Sequence, residues 1–353
     1  MRILIAPDSF GNTLTAVAAA DAIARGWSAS RPDDDLVHAP QSDGGPGFVA
    51  VLADRFGTVH TETVPGPLGA AVSAQWLLDD RDPQRPVAYI ECAQACGLHQ
   101  LGGAPTPRTA LAADTVGVGQ LVDAALTAGA TSIVVGLGGS ASSDGGRGLI
   151  DALGGPAQAK ARCADVDIVA ASDVENPLLG PSGAVAVFGP QKGADADALS
   201  RLEERMTQWN RVLATMAGRD ISAQEGAGAA GGLGAALLAL GGRRISGASV
   251  VAEATDRDGD MARADLLITG EGKFDSQTLK GKVVSALTSS AQAAGVPTVV
   301  VAGQVALSAE EIAGAGIAAA YAIVDHAGSV QLAMDDADHQ LESMVTTIAE
   351  AWD

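Results

Sequence analysis

The 353-residue chain is 47% hydrophobic, enough for one large domain or two ordinary ones with cores that need no disulfide or structural metal. Its 22 Lys and Arg against 42 Asp and Glu leave a net charge of −20, which repels nucleic-acid phosphates and anionic lipid and excludes both as partners. Only 18% of residues are charged and mean hydropathy is +0.20, which excludes a disordered chain.

In chain order, several segments repeat one pattern: a short apolar run, a turn rich in Gly, Asp or Ser, then a helical stretch. Arg2–Ala6 leads into Pro7-Asp8-Ser9-Phe10-Gly11-Asn12, followed by a helix from Leu14 to Trp27. Val59 to Leu78 alternates around Pro65-Gly66-Pro67-Leu68-Gly69 and predicts antiparallel strands. Ser132–Val135 leads into Gly136-Leu137-Gly138-Gly139-Ser140. Val166 to Lys192 reads as strand-like and turn-rich, with a polar helix from about Ala194 to Ala217.

The uncharged stretch Gly226 to Gly242 holds seven glycines and is too short and too glycine-rich for a membrane span. Ala264–Ile268 leads into a turn at Thr269-Gly270-Glu271-Gly272 and a helix over Lys273 to Ala293. Thr298–Val301 is a further strand, and Ala320–Val324 a last one. Val- and Ile-rich runs alternating with helices predict a parallel sheet covered on both faces. The expected organisation is 1–60, 115–160 and 258–353 as one domain, with 61–114 and 161–257 as a second, inserted one. Cys92, Cys96 and Cys163 have no metal-spaced partners, and the first residues lack a signal-peptide pattern. Both features point to reduced thiols in the cytoplasm.

No Walker A sequence, N-terminal G-x-G-x-x-G, nucleophile elbow or metal-spaced histidine pair is present. A dehydrogenase, a serine hydrolase and a zinc enzyme therefore have little support. What recurs is an acid beside glycines: Asp43-Gly44-Gly45, Asp144-Gly145-Gly146 and Gly270-Glu271-Gly272-Lys273-Phe274-Asp275. Glycine lets backbone amides approach phosphate oxygens, and the neighbouring carboxylate can hold Mg²⁺ or accept a hydroxyl proton. Lysines are few, so Lys192 and the group Lys273, Lys280 and Lys282 stand out as phosphate-neutralising charges. Asp173 and Asn176 offer further oxygen ligands.

These motifs, in this order, resemble the class I glycerate kinase family. The matching pieces are Ile5-Ala6-Pro7-Asp8-Ser9-Phe10, Ser42-Asp43-Gly44-Gly45, Gly138-Gly139-Ser140-Ala141 and Asp144-Gly145-Gly146. Asp173-Val174-Glu175-Asn176-Pro177, Phe188-Gly189-Pro190-Gln191-Lys192-Gly193, the Gly226–Gly234 run and Thr269-Gly270-Glu271-Gly272 continue the series. The chain departs from the family pattern at Gly11, where a lysine is usual, and at Pro46 and Phe48, where Glu and Thr are usual.

The resemblance implies two α/β domains, one flavodoxin-like with a parallel sheet and one inserted, with the active site in the cleft. It also implies ATP- and Mg²⁺-dependent phosphorylation of D-glycerate, 2-phosphoglycerate being the favoured product. The expected catalytic set is Asp8, Asp43, Asp144, Asp275 and Lys282, one carboxylate accepting the hydroxyl proton. Ser9, Gly44, Gly45, Gly138, Gly139, Ser140, Lys192, Gly270 and Glu271 are expected to bind substrate and phosphate, and Asp173 with Asn176 the metal. With Gly11 in place of lysine, Arg147 or Lys273 is expected to meet the acceptor carboxylate. Glycerate and ATP are the expected partners, with room for a homo-oligomer. A kinase of another small hydroxy acid or sugar acid, and a non-catalytic protein closing two lobes on a small anion, are the alternatives.

Overall fold

The computed structural model describes residues 1–280 and 283–352, with the side chain of Lys280 left out. The chain divides into two compact units, a smaller one of residues 1–42 and 251–353 and a larger one of residues 43–250.

The smaller unit is built on five strands: β1 (Arg2–Ile5), β2 (Asp35–His38), β9 (Leu266–Phe274), β10 (Thr298–Val305) and β11 (Ala319–Ala322). They pair all-parallel in the order β11-β10-β9-β1-β2, the flavodoxin-like order. Ile3, Ile5, Leu266, Ile268, Val299 and Val301 pack under helices Ala16–Ser30 and Ala337–Ala351. Those helices lie very close: a Cβ on Gly26 would stand 2.3 Å from the Glu342 carbonyl oxygen. On the opposite face Phe274, Val300 and Ala302 pack against Val284 of helix Val283–Ala294. Both faces are covered, as the Val- and Ile-rich runs require.

The larger unit carries β3 (Thr58–Pro65), β4 (Ala71–Asp79), β5 (Val87–Glu91), β6 (Ser132–Gly136), β7 (Asp167–Ala171) and β8 (Arg243–Ile245), in that spatial order. β3 to β5 are antiparallel, as the alternation over Val59–Leu78 predicts, and β5 to β8 are parallel. Trp76, Ile90, Ile133 and Val135 pack against Leu121 and Leu149 of helices Val116–Thr127 and Arg147–Ala152. Tyr89 faces Phe48 of helix Phe48–Ala53, ring centroids 6.2 Å apart.

Four expectations are corrected. Residues 43–60 and 115–160 lie in the larger unit, because β6 is hydrogen-bonded between β5 and β7 and helix Phe48–Ala53 packs on β4 and β5. Gly270–Phe274 is strand and not turn, since β9 stays paired with β10 through Val301↔Gly270 to Val305↔Phe274. Glycine makes this possible: a Cβ on Gly270 would meet the Val301 carbonyl oxygen at 2.0 Å. Val166–Lys192 contains one strand, then a helix over Ala184–Phe188 and a 3-10 turn over Pro190–Lys192. The last strand ends at Ala322, where helix Ile323–Ala327 begins. Short apolar runs fit either state, and tertiary pairing decides between them.

In each unit the functional loops leave the carboxyl ends of parallel strands, where open α/β sheets bind ligands. Gly44 is one of the close approaches in the larger unit. Its φ is +91°, and a Cβ there would lie 2.7 Å from the Ala171 carbonyl oxygen at the end of β7. Gly44→Ala is expected to cost roughly 2 kcal/mol in left-handed strain alone, read as a lower midpoint in chemical denaturation.

Candidate active site

In the larger unit the Asp43 loop crosses the ends of β6 and β7. The Gly138 amide donates to the Gly44 carbonyl oxygen (3.1 Å), and a Cβ on Gly138 would collide with Gly45 Cα at 2.3 Å. Asp43 Oδ1 accepts from the Gly45 amide (3.0 Å), which fixes the turn and leaves Oδ2 for other partners. A Cβ on Gly139 would touch Pro46, so Pro46 packs on the second glycine of the β6 loop. Phe48 is fully buried and belongs to the core, so its difference from the family pattern removes no exposed hydroxyl.

Lys192 lies beneath this loop pair. It is 3% exposed, and its Nζ donates to Ser140 Oγ (2.9 Å) and to the Ser142 carbonyl oxygen (2.6 Å). Among the described residues no carboxylate lies within ion-pair distance of it. Burial pushes its ammonium down to about 8, against smaller raising influences from Cys96, Cys92 and Asp144. An uncompensated buried cation is costly, and an anionic ligand is the partner that would relieve it.

Asp173 follows β7. Although the residue is exposed, crowding at its carboxylate raises its pKa; the Asp43 charge adds to the rise, and a hydrogen bond with Ser246 opposes it. Two neighbouring carboxylates beside a glycine-rich cradle suit Mg²⁺, which takes one or two carboxylates and completes its shell with water and phosphate oxygens. Among the described residues no group of three acidic, His or Cys side chains could hold a metal by itself. The Asn176 side-chain amide donates to the Ser182 carbonyl oxygen (2.9 Å) within its own turn.

Asp144 is tied into the backbone around it. Oδ1 accepts from the Gly146 amide, and Oδ2 from the Thr115 amide, the Thr115 hydroxyl and the Gly148 amide, all at 2.8–3.0 Å. With three donors on Oδ2 it clamps the β6 loop to the segment at Thr115. The loop is held from a second side by the left-handed turn at Ala230–Gly232. The Gly145 amide donates to the Gly231 carbonyl oxygen (3.0 Å), and a Cβ on Gly231 (φ +65°) would strike the Ser142 carbonyl oxygen at 2.0 Å. That close approach accounts for part of the glycine run.

In the smaller unit the loop after β1 lies over the second half of β9, at the point where strand order reverses. The Asp8 amide donates to the Gly270 carbonyl oxygen (2.8 Å), and Thr269 Oγ1 to the Ala6 carbonyl oxygen (2.8 Å). Asp8 Oδ1 accepts from the Ser9 amide (2.6 Å), while Glu271 accepts from the Thr278 hydroxyl. Asp8, Ser9, Gly270 and Glu271 are therefore brought together. Asp275 sits further on, its pKa lowered first by the Gln277 amide and also by Lys273, 3.3 Å away. Lys282 lies outside the described residues.

Glu91 was not among the residues expected from sequence. It ends β5, is 3% exposed, and its Oε2 accepts from the amides of Gly47 (3.0 Å) and Val49 (3.4 Å), holding the Asp43 loop from behind. Burial pushes its carboxyl up to about 7, with those amides opposing. An acid closing an otherwise apolar strand was the available signal.

Two predictions follow from these partners. Between the unfolded value and about 7, the folded protein keeps a Glu91 proton that the unfolded chain has released, so stability falls as pH rises through that window. The fall is on the order of 3 kcal/mol if Glu91 acts alone. Glu91→Gln should flatten the melting temperature across that range, and an unchanged slope would remove Glu91 as its source. Asp144→Ala should lower the melting temperature by several degrees through loss of four donors' partner, whereas Asp43→Asn should leave it near wild type.

Comparison with known proteins assigns the fold to a family. The glycerate kinase family model matches residues 3–161 and 155–353. An uncharacterized protein of Mycobacterium bovis is 55% identical over 349 residues, covering 99% of this chain and 91% of its own. A Bacillus subtilis glycerate kinase is 38% identical, with 99% and 97% covered, and the Escherichia coli glycerate 2-kinase 35%, with 94% and 92% covered. The crystal structure of a candidate glycerate kinase 2 from Salmonella typhimurium LT2 superposes with a TM-score of 0.79 at 33% identity, covering 99% of this chain and 98% of that one. The chain belongs to the glycerate kinase family, and is a kinase by that membership.

Proposed function

We propose that the chain transfers the γ-phosphoryl group of ATP to the 2-hydroxyl of D-glycerate. The observation that carries this reading is Lys192, a buried cation facing a hydroxyl and a carbonyl of the glycine-rich β6 loop, with no carboxylate at ion-pair distance among the described residues. Gly44, Gly45, Gly138 and Gly139 let backbone close in on phosphate oxygens, and Ser140 presents the hydroxyl that Lys192 orients. Asp43, with Oδ1 held by the Gly45 amide, accepts the hydroxyl proton through Oδ2, while Asp173 beside it would hold Mg²⁺. When bound, Mg²⁺ neutralises charge that builds on the phosphate oxygens. In the smaller unit, taken by itself, Asp8, Ser9, Gly270 and Glu271 form a polar cluster with the chemistry to bind a nucleotide or a hydroxy acid. Positioning and charge do most of the work, as in phosphoryl transfer generally. No helix of the described residues is long and apolar enough to cross a membrane.

A coupled ADP-release assay over D-glycerate, L-glycerate, glycolate and larger sugar acids tests the acceptor, with ³¹P NMR of the product giving the position. D-glycerate-dependent turnover with a 2-phosphate product is expected; ATP consumption with a larger acid alone would reassign the substrate. No turnover with any acid would favour an anion-binding protein. Lys192→Met should lower kcat by about 10²–10³-fold with the fold intact. Because the Lys192 ammonium titrates at about 8 in the free protein, kcat/KM for ATP should fall as pH rises through that value.

A further inference from the structure

A second polar cavity of about 240 Å³ lies in the larger unit, between the β6 loop and helix Ala196–Ala217. Ser143, Asp144, Arg147, Arg205, Gln208 and Trp209 line it. Two guanidinium groups face one carboxylate, that of Asp144. Ser143 is 4% exposed, and its buried hydroxyl has no hydrogen-bond partner among the described residues. Arg205 spends one of its five donors on the Leu111 carbonyl oxygen (2.8 Å). Arg147 lies over the Trp209 ring, 5.6 Å from its centroid, and meets Asp151 only at 3.5 Å in an exposed pair that a ligand can outcompete.

The charged acceptor and the main-chain carbonyl beside these donors are already engaged, while Gln208 donates its amide to Glu204 (3.3 Å). Asp144 receives four hydrogen bonds from Thr115, Gly146 and Gly148. The Gly145 carbonyl oxygen takes the Trp209 indole N–H (3.0 Å). Two guanidinium groups and one unsatisfied hydroxyl around a small cavity, in a protein of net charge −20, call for a ligand that only accepts.

We propose that this cavity is an anion site taking a small oxyanion, a phosphate or a carboxylate, gripped by Arg147 and Arg205 with the Ser143 hydroxyl as the inner donor. It is separate from the Lys192 cradle in every residue but the loop they share. Because Asp144 and Gly145 belong to that loop, occupancy here bears on the loop whose other end carries Gly138 to Ser140. The site therefore has the chemistry of an effector pocket, whichever acid the enzyme phosphorylates.

Isothermal titration of the full-length protein with inorganic phosphate and, separately, with malonate tests this without any turnover. Saturable heat in the millimolar range or below is expected in at least one arm, and the arm that responds identifies phosphate or carboxylate as the preferred group. Arg147→Gln and Arg205→Gln, both on exposed side chains, should each weaken binding about tenfold, and Ser143→Ala by less. Lys192→Met should leave it intact. No heat in either arm, binding indifferent to both arginine substitutions, or binding abolished by Lys192→Met would each overturn the proposal. None of these outcomes depends on whether glycerate is phosphorylated.

Discussion

The larger unit is organised around the placement of one ammonium group in the protein interior. Lys192 Nζ has a serine hydroxyl and a backbone carbonyl for company and, among the described residues, no carboxylate at ion-pair distance, so its burial carries a desolvation cost that these partners do not offset. Retaining such a group is intelligible if a negative ligand completes the arrangement. The rest of the unit holds the surrounding backbone still. The 3-10 turn over Pro190–Lys192 delivers the lysine, Asp144 clamps the loop that receives it, and Glu91 braces the Asp43 loop from behind.

Glycine content follows from the same constraint. Backbone crosses backbone at the ends of β6 and β7, with no room for a Cβ at Gly138 or Gly231. In the smaller unit the flavodoxin-like strand order puts the reversal point between β1 and β9, and there the Asp8 loop lies against Gly270. Two sheets of different topology thus present glycine-lined, acid-bearing loops at their carboxyl ends. The sequence pattern of acid beside glycine reports this common local need.

Much of this was legible in the residues. The Val- and Ile-rich runs at Arg2–Ala6, Ser132–Val135 and Thr298–Val301 are buried parallel strands, and the alternation over Val59–Leu78 is an antiparallel pair. What stayed hidden was decided by long-range partners. The assignment of 115–160 depends on which strands flank β6, and nothing local encodes that. The extension of β9 through Phe274 depends on β10 lying alongside, which overrides the turn preference of Gly270 and Gly272. Likewise Asp43 and Asp144 carry the same Asp-Gly-Gly signature, yet one keeps a carboxylate oxygen that no backbone amide of its turn occupies. The other spends both on Thr115 and its own helix, a difference set by a residue 29 positions away. Glu91 escaped notice because a lone acid in an apolar strand has no motif.

The most direct test of this account is NMR titration of the Lys192 side chain, assigned by its disappearance in the Lys192→Met spectrum. The account predicts a pKa near 8 in the free protein that moves upward when ATP is added, as phosphate supplies the missing counter-charge. A Lys192 that titrates like a solvated lysine, or whose titration is indifferent to nucleotide, would contradict it.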